Sequence, residues 1–440
     1  SPEKVAEITW VPKEMIRRAA EVYAEAKPGC IPWGNGIETT LNGFQAARAI
    51  AILRSITGNL GIPGGDVYCS DPGELTRGDP QFVCRDNIPP AVRANRISMK
   101  DNLIPLAYYA LPHRVMRAIL DDDPYPVRAA YVQGANPLTH YTNARETYAA
   151  LLKLDFLVVA DIFMTSTAAL ADIVLPAATY LEYDSVEQPW TYPIASVQQK
   201  VAQVGESWPD GKILNELTKK LGFHDFAWAD MQAPLDRILQ AAGISFEEFR
   251  KIGYFVGHKA YRHYEKNGFE TPSKKVQLYS NQLKEWGFDA LPEYVEPPET
   301  PVSEPAYATE YPFILTSRKE GVFRHSTGRQ IPSLREAKPD PIVKLHAKAA
   351  QKLGIDEGDW VAISTRRGSI RQKAQLVDWI DPRVVEVDYA CWFPEKGPST
   401  LYGWDESNIN VLLDNKPPHN REMGSPSMRG IFCKIAKDIS

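Results

Sequence analysis

Between residues 126 and 180 the chain alternates short, almost wholly apolar runs with amphipathic ones. PVRAAYVQG reads as a strand ending in a turn, and NARETYAALLKL places its apolar positions at helical spacing. DFLVVAD and DIVLPA read as two more strands, with TSTAALA a helix between them. Short apolar strands separated by helices indicate a parallel sheet buried on both faces, so this stretch is Rossmann-like. Upstream, residues 11–26 carry Ile16, Ala19, Ala20 and Tyr23 at helical spacing, with Pro12 in the expected first turn and Gly29 just past the end. FQAARAIAILRSI, at 44–56, is apolar on most sides, the pattern of a buried helix. Residues 66–110 are irregular and rich in Pro, Asp and Arg, a long loop region. Helices at 210–222 and 229–242 are expected to cover the parallel sheet.

LPEYVEPPETPVSEPAYATE, at 291–310, is dense in Pro and Glu and reads as an extended linker. Strand patterns dominate beyond it: YPFILTS, then DWVAIST, GSIRQKAQLV and RVVEVDYAC, joined by turns such as RRG, with HAKAAQKLG a short helix. The fold class expected is therefore α/β, a Rossmann-like parallel sheet in residues 1–305 followed by a β-barrel in residues 306–440.

Composition narrows the function. The chain has 440 residues, 44% hydrophobic and 24% charged, and no apolar run approaches the roughly 20 residues of a membrane span. A net charge of -5 with scattered basic residues offers no footprint for nucleic acid. Five cysteines without a Cys-x-x-Cys pair give neither a zinc nor an iron-sulfur spacing, and the histidines show no ligand spacing. No Gly-x-Ser-x-Gly, Walker loop or His-Glu-x-x-His is present. A secretory signal pattern is missing at the start, and cytoplasm and periplasm both remain open.

Three constellations carry candidate chemistry. The turn Gly134-Ala135-Asn136-Pro137 and the turn after Ala160-Asp161 fall at one carboxyl edge of the sheet, where open α/β folds hold ligands. Each has a plainer use, Asn136 in an Asx turn and Asp161 as a helix cap; their coincidence raises the ligand reading. After the first barrel strand, 315–329 gathers Arg318, Lys319, Arg324, His325, Ser326 and Arg329, a set suited to an anion such as a diphosphate or to a solvated loop. Trp33, Trp190, Trp392 and Trp404 lie in Pro/Gly-rich segments, as pocket walls or as loop anchors.

YVQGANP, DFLVVADIFMTSTAALADIVLPAATYLEYDS and the long run from LTSRKEGVFRHSTGRQ to GDWVAISTRRGSI resemble the molybdopterin oxidoreductases of the dimethyl sulfoxide reductase superfamily, over nearly the whole chain. The resemblance implies two molybdopterin guanine dinucleotides chelating molybdenum or tungsten, beneath a double-psi-like barrel. It implies dinucleotide contacts at Asn35, Asn136, Asp161, Asp210, Thr316, Ser317, Arg318, Arg324, His325, Ser326, Asn410 and Arg429. Arg318 is expected near the metal as a catalytic group, with Trp33 and Trp190 walling the substrate funnel. No metal ligand is assigned here: the ligand and an iron-sulfur cluster are expected in a preceding segment, supplied by the same subunit or a split partner chain, with an iron-sulfur electron-transfer subunit as further partner.

Within the superfamily, RQIPSLREAKPDPIVKLH and GWDESNINVL look like the thiosulfate and polysulfide reductase branch, while IPW, PYPV and EQPW look like acetylene hydratase. Thr39-Thr40 stands where formate dehydrogenases and nitrate reductases usually carry Gln-His, which disfavours those two chemistries. The leading expectation is reduction of a sulfur or oxyanion substrate; a tungsten hydratase, a formate dehydrogenase and a metal-free scaffold are the alternatives.

Overall fold

The structure is a computed structural model and describes residues 1–67, 69–76, 88–101, 103–104, 109–189 and 192–439, the side chains of 99 and 100 aside. Cys84 and Trp190 therefore lie outside the described residues.

Strands β1 (Ala129–Gln133), β2 (Phe156–Asp161) and β3 (Ile173–Pro176) form the expected parallel sheet in the order β1-β2-β3. Their registers, Gln133 opposite Ala160 and Asp161 opposite Pro176, end all three strands at one edge. The crossover between β1 and β2 is the helix Ala144–Lys153, whose Asn143 cap accepts from the Glu146 amide. The second crossover is only a single 3-10 turn, Ala168–Leu170, where a helix is expected.

β4 (Ser185–Glu187), β5 (Ile194–Gln198) and β6 (Tyr254–Val256) form a small antiparallel sheet. Leu235, Leu239, Phe246 and Phe249 pack on its Ala195 and Val197. The helical turns near 229–242 thus cover this second sheet rather than the parallel one. The helix Gly43–Ile56 also departs from expectation: only Gly43 and Gln45 along it are buried.

The barrel closes from β7 (Phe313–Arg318), β8 (Ile342–His346), β9 (Trp360–Thr365), β10 (Gly368–Val377), β11 (Val384–Asp388) and β12 (Ile431–Lys437), in the order β10-β8-β11-β7-β12-β9. Parallel pairs (β10 with β8, β11 with β7) mix with antiparallel ones. Closure removes every free edge. Strand alternation sends Leu315, Val343, Leu345, Val361, Ile363, Val385 and Val387 inward, each almost fully buried.

One continuous apolar cluster joins this interior to Leu157 and Val159 of β2, to Leu138 and Leu151 of the helical turns between β1 and β2, and to Trp404, Ile409 and Leu412. At about 1.5–3 kcal/mol per large apolar side chain buried, this shared core fixes the barrel over the sheet. The 291–310 segment is not a free spacer. Its Tyr307, with Tyr311 just beyond it, packs on Phe432 of β12, and buried Glu299 pairs with Arg366 and Arg367 at the β9–β10 turn.

Candidate functional site

At the end of β1 the backbone turns through Gly134, whose φ of 55° suits a residue without a Cβ. The turn presents Asn136, only 2% exposed. Its Oδ1 accepts from the Thr167 amide (3.2 Å) and hydroxyl (2.7 Å), which ties the β1 turn to the Met164-Thr165-Ser166-Thr167 loop after β2. Asn136 Nδ2 is buried and has no partner, and Ser166 Oγ is in the same state.

Asp161 ends β2, with Oδ1 accepting from the Phe163 amide at 3.2 Å. Asp210 opens the helix Asp210–Lys220, and the side chain of Gln133 bonds to it. Burial raises both carboxyls above their ordinary range, and the charge of Asp210 adds to the effect on Asp161. Asp210 Oδ1 is buried without a partner and borders a cleft of about 630 Å³ that includes Trp208, with Lys212 stacked 3.9 Å from its ring. Asp210 Oδ1, idle beside a second partly buried carboxyl, suits a ligand edge rich in N–H or O–H groups.

The barrel supplies the opposite wall. Asn410 is buried, donates from Nδ2 to the Thr139 carbonyl at 2.7 Å, and keeps an unpartnered Oδ1. Ser326 is buried, its Oγ 2.9 Å from His140 Nε2. Its carbonyl accepts from the Trp392 indole at 2.8 Å. His140, His325 and Tyr389 form a ring cluster with centroids 5.7–6.3 Å apart, and the Tyr389 hydroxyl donates to the His140 carbonyl at 3.0 Å. Burial, assisted by His325, lowers the His140 ring to about 4, so it is neutral at pH 7. His325 (φ 55°) and Ala390 (φ 52°) both hold left-handed backbone beside this cluster, the kind of strain that gathers at binding sites.

Arg429 pins a third element. It donates to the Ser317 carbonyl, to Thr316 Oγ1 (3.4 Å) and to Thr39 Oγ1 (3.0 Å), and Thr39 in turn bonds the Asn35 carbonyl at 2.6 Å. Burial lowers this guanidinium, opposed by Glu386 and Tyr389.

Of the expected site residues, Asn136, Thr316, Ser317, His325, Ser326, Asn410 and Arg429 gather where sheet and barrel meet, while Asp161 and Asp210 lie along the carboxyl edge of the sheet. Asn35 and Arg324 are exposed. Trp33 is exposed too, stacked under Arg54 at 4.2 Å and donating to Glu38 at 3.3 Å. Arg318 departs furthest from expectation. Its guanidinium is ringed by Glu320 (2.6 Å), Asp388 (3.0 Å) and Glu386 (3.6 Å), so it enters the site already neutralised. His140, Thr167 and Tyr389 escaped the sequence reading. His140 stands three residues after Pro137, but nothing local announces a contact with Ser326, 186 residues away. Among the described residues no three His, Cys, Asp or Glu side chains converge as a metal site.

A parallel sheet whose carboxyl edge carries unpaired polar atoms, roofed by a closed barrel with its own unpaired acceptor, defines a protein built to clasp an extended polar ligand between two layers. Comparison with known proteins supplies the family. Residues 15–220 match the molybdopterin oxidoreductase family and residues 313–427 the molydopterin dinucleotide binding domain; the chain belongs to the molybdopterin oxidoreductases. It is 31% identical to acetylene hydratase of Syntrophotalea acetylenica, over 99% of this chain and 64% of the relative. It is 27% identical to dopamine dehydroxylase of Eggerthella lenta (99% and 52%) and 28% identical to the F420-dependent formate dehydrogenase subunit alpha of Methanocaldococcus jannaschii (91% and 59%). The solved acetylene hydratase of Pelobacter acetylenicus superposes with a TM-score of 0.91 at 28% identity, covering 99% of this chain and 64% of that one. The chain thus spans between half and two thirds of these relatives.

Proposed function

We propose that this chain is the dinucleotide-holding part of a molybdenum or tungsten enzyme with two pyranopterin guanine dinucleotides, and that residues 1–305 form its partial α/β core and 306–440 its dinucleotide-binding barrel. One observation carries the reading: Asn136 Nδ2 and Asn410 Oδ1 at the sheet–barrel junction, and Asp210 Oδ1 beside the carboxyl edge of the sheet, are buried without partners. Each such atom costs about 1–3 kcal/mol unless something bonds it. The residues fit the cofactor. Asp161 and Asp210 would accept from guanine N–H groups or ribose hydroxyls, Asn136 would donate, and Arg324 with the 319–327 loop amides would meet the diphosphates. When bound, the group supplies a dithiolene-held metal able to exchange electrons or to activate water. The chain's own part is to bind, orient and exclude solvent, with His140 and Tyr389 as neutral hydrogen-bonding groups at the junction. The rest of the enzyme, including an iron-sulfur cluster and the metal ligand, would come from a further segment or a partner chain.

Among the chemistries weighed, hydration of a small uncharged substrate has the better support. The similarity to acetylene hydratases extends over 99% of the chain. Reduction of thiosulfate or polysulfide wants a free cation near the metal, and Arg318, the cation expected there, is held by three carboxylates. The test is molybdenum, tungsten and pterin analysis of the intact purified enzyme, with acetylene hydration assayed beside dye-linked thiosulfate reduction. Metal with hydration is the expected result. Thiosulfate reduction without hydration would restore the sulfur reading, and absence of both metal and pterin would end the cofactor assignment.

A further inference from the structure

Behind the histidine cluster lies a second, smaller cavity of about 210 Å³, between the helix Pro112–Asp121 and the 425–428 segment. Its walls are mostly apolar, with Leu111, Met116, Pro426 and Met428 among them, and no lysine, arginine, aspartate or glutamate lines it among the described residues. Uncharged polar residues interrupt the apolar lining, and His113 stands out among them. His113 lines the cavity, is 7% exposed, and neither of its ring nitrogens has a hydrogen-bond partner. Its ring lies 4.3 Å from that of His419, which is itself satisfied through Nε2 by the Asn415 carbonyl at 2.8 Å. Thr147, fully buried on the opposite helix, also lines the cavity with an unpartnered hydroxyl.

A buried imidazole with two idle nitrogens is costly, since each polar atom taken from water without a partner loses about 1–3 kcal/mol. A protein that needed only packing here would place an apolar side chain. We propose that this cavity is a binding site for a small, uncharged, ring-sized molecule bearing one hydroxyl group, which hydrogen-bonds to His113.

Three features set the ligand class. The volume exceeds the roughly 150 Å³ of an apolar cavity that accepts benzene, so a single substituted ring fits and a fused dinucleotide does not. A neutral imidazole offers one donor and one acceptor on divergent edges of the ring, and a hydroxyl, able to accept or donate, can pair with either one. Burial, reinforced by His419, lowers His113 to about 4, so no cation awaits an anionic ligand at neutral pH. His140 lines the same cavity while bonding Ser326, so a molecule seated there touches the histidine cluster of the junction. The inference stands on this cavity alone and does not require the cofactor reading.

The experiment is direct binding to the purified enzyme as isolated, by ligand-detected NMR titration with phenol, toluene and benzoate. Phenol should bind saturably, roughly tenfold tighter than toluene from its one buried hydrogen bond, and benzoate should fail to bind. His113→Leu should weaken phenol by about tenfold while leaving toluene unchanged or improved, and His113→Gln should stay close to the parent. No saturable phenol binding, equal binding of phenol and benzoate, or an unaltered phenol affinity in His113→Leu would each overturn the proposal. Should the leucine variant not fold, the three-ligand comparison on the unaltered enzyme still decides.

Discussion

Replacing Glu299 by glutamine should loosen the segment that straps the barrel to the rest of the chain. Glu299 is 4% exposed. One carboxylate oxygen takes both Arg366 (3.2 Å) and Arg367, and the other accepts from the Phe432 amide of β12 at 3.4 Å. Breaking a buried ion pair by removing one partner costs about 3–5 kcal/mol. Here Arg367 keeps Asp414 at 3.1 Å, and Arg366, nearly half exposed, contributes under about 1 kcal/mol. A glutamine carbonyl also cannot serve both the guanidinium groups and the Phe432 amide, which adds about 1 kcal/mol. The expected loss is therefore about 3 kcal/mol, felt at the β12 edge. Hydrogen exchange read by mass spectrometry over 429–437 measures it without assuming two-state unfolding of a chain this size. Exchange should accelerate roughly a hundredfold, since each tenfold corresponds to about 1.4 kcal/mol. Acceleration below about threefold would show that desolvation of the charges cancels their attraction, and the strap would owe its place to Tyr307 and Tyr311 instead.

The remaining expectations concern the junction. Asp161→Asn and Asp210→Asn should each cut molybdenum or tungsten and pterin content of the isolated enzyme at least several-fold with circular dichroism unchanged; full cofactor content in both would remove these carboxyls from the binding set. His113 faces His419, Arg114, Arg117 and Asp101, and its folded value of about 4 lies below the ordinary 6.5. The unfolded chain therefore takes up this proton first as pH falls, so the stability present above pH 6.5 is lost between about 6.5 and 4. Between pH 7 and 5 the loss is about 2 kcal/mol, and His113→Leu should show a urea-midpoint pH dependence shallower by that amount; an identical dependence would mean the ring is not buried neutral. Iodoacetamide at pH 8 should label exposed Cys30 and Cys69 in the native enzyme and spare buried Cys391 and Cys433, whose thiols burial pushes upward, Cys391 to about 11. Peptide mass spectrometry showing Cys391 labelled as fast as Cys30 would contradict the packing around Arg329 and Trp392.

The parallel sheet and most of the barrel were legible because their strands are apolar runs of the right length, and burial on both faces leaves such runs little alternative. β12 was harder to see. IFCKIAK mixes two lysines into the strand, and its pairing with β7 and β9 depends on residues about 115 and 70 positions away. The 291–310 segment misled by composition: proline and glutamate density describes a chain that cannot build its own core, not one that cannot dock on another. That Asn136 and Asp161 share one edge was readable because strand ends in an open parallel sheet do so; Asp210, at a helix start, was indicated by the family resemblance alone. The surroundings of Arg318 were only partly legible: Glu320 follows two residues later in the loop after β7, but Glu386 and Asp388 come from β11, and pairing between neighbouring strands leaves no mark in linear order.

The placement of charge at the junction restricts what can sit there. Arg318 is matched by Glu320, Glu386 and Asp388, and burial further raises the Asp388 carboxyl against the pull of that guanidinium. His140 and His113 are neutral, and Tyr389 is held protonated by burial. Lys319 and Arg324, cations of the 319–327 loop, are exposed at the rim. A partly buried cation also stands deeper, since Arg429 spends its guanidinium on the Ser317 carbonyl and the Thr316 and Thr39 hydroxyls, with no carboxylate among those partners. An anionic group is therefore met at the rim and again at Arg429, while the rings of His140, His325 and Tyr389 offer it only neutral partners, so the charged and uncharged parts of one extended ligand would be sorted to different places along the junction.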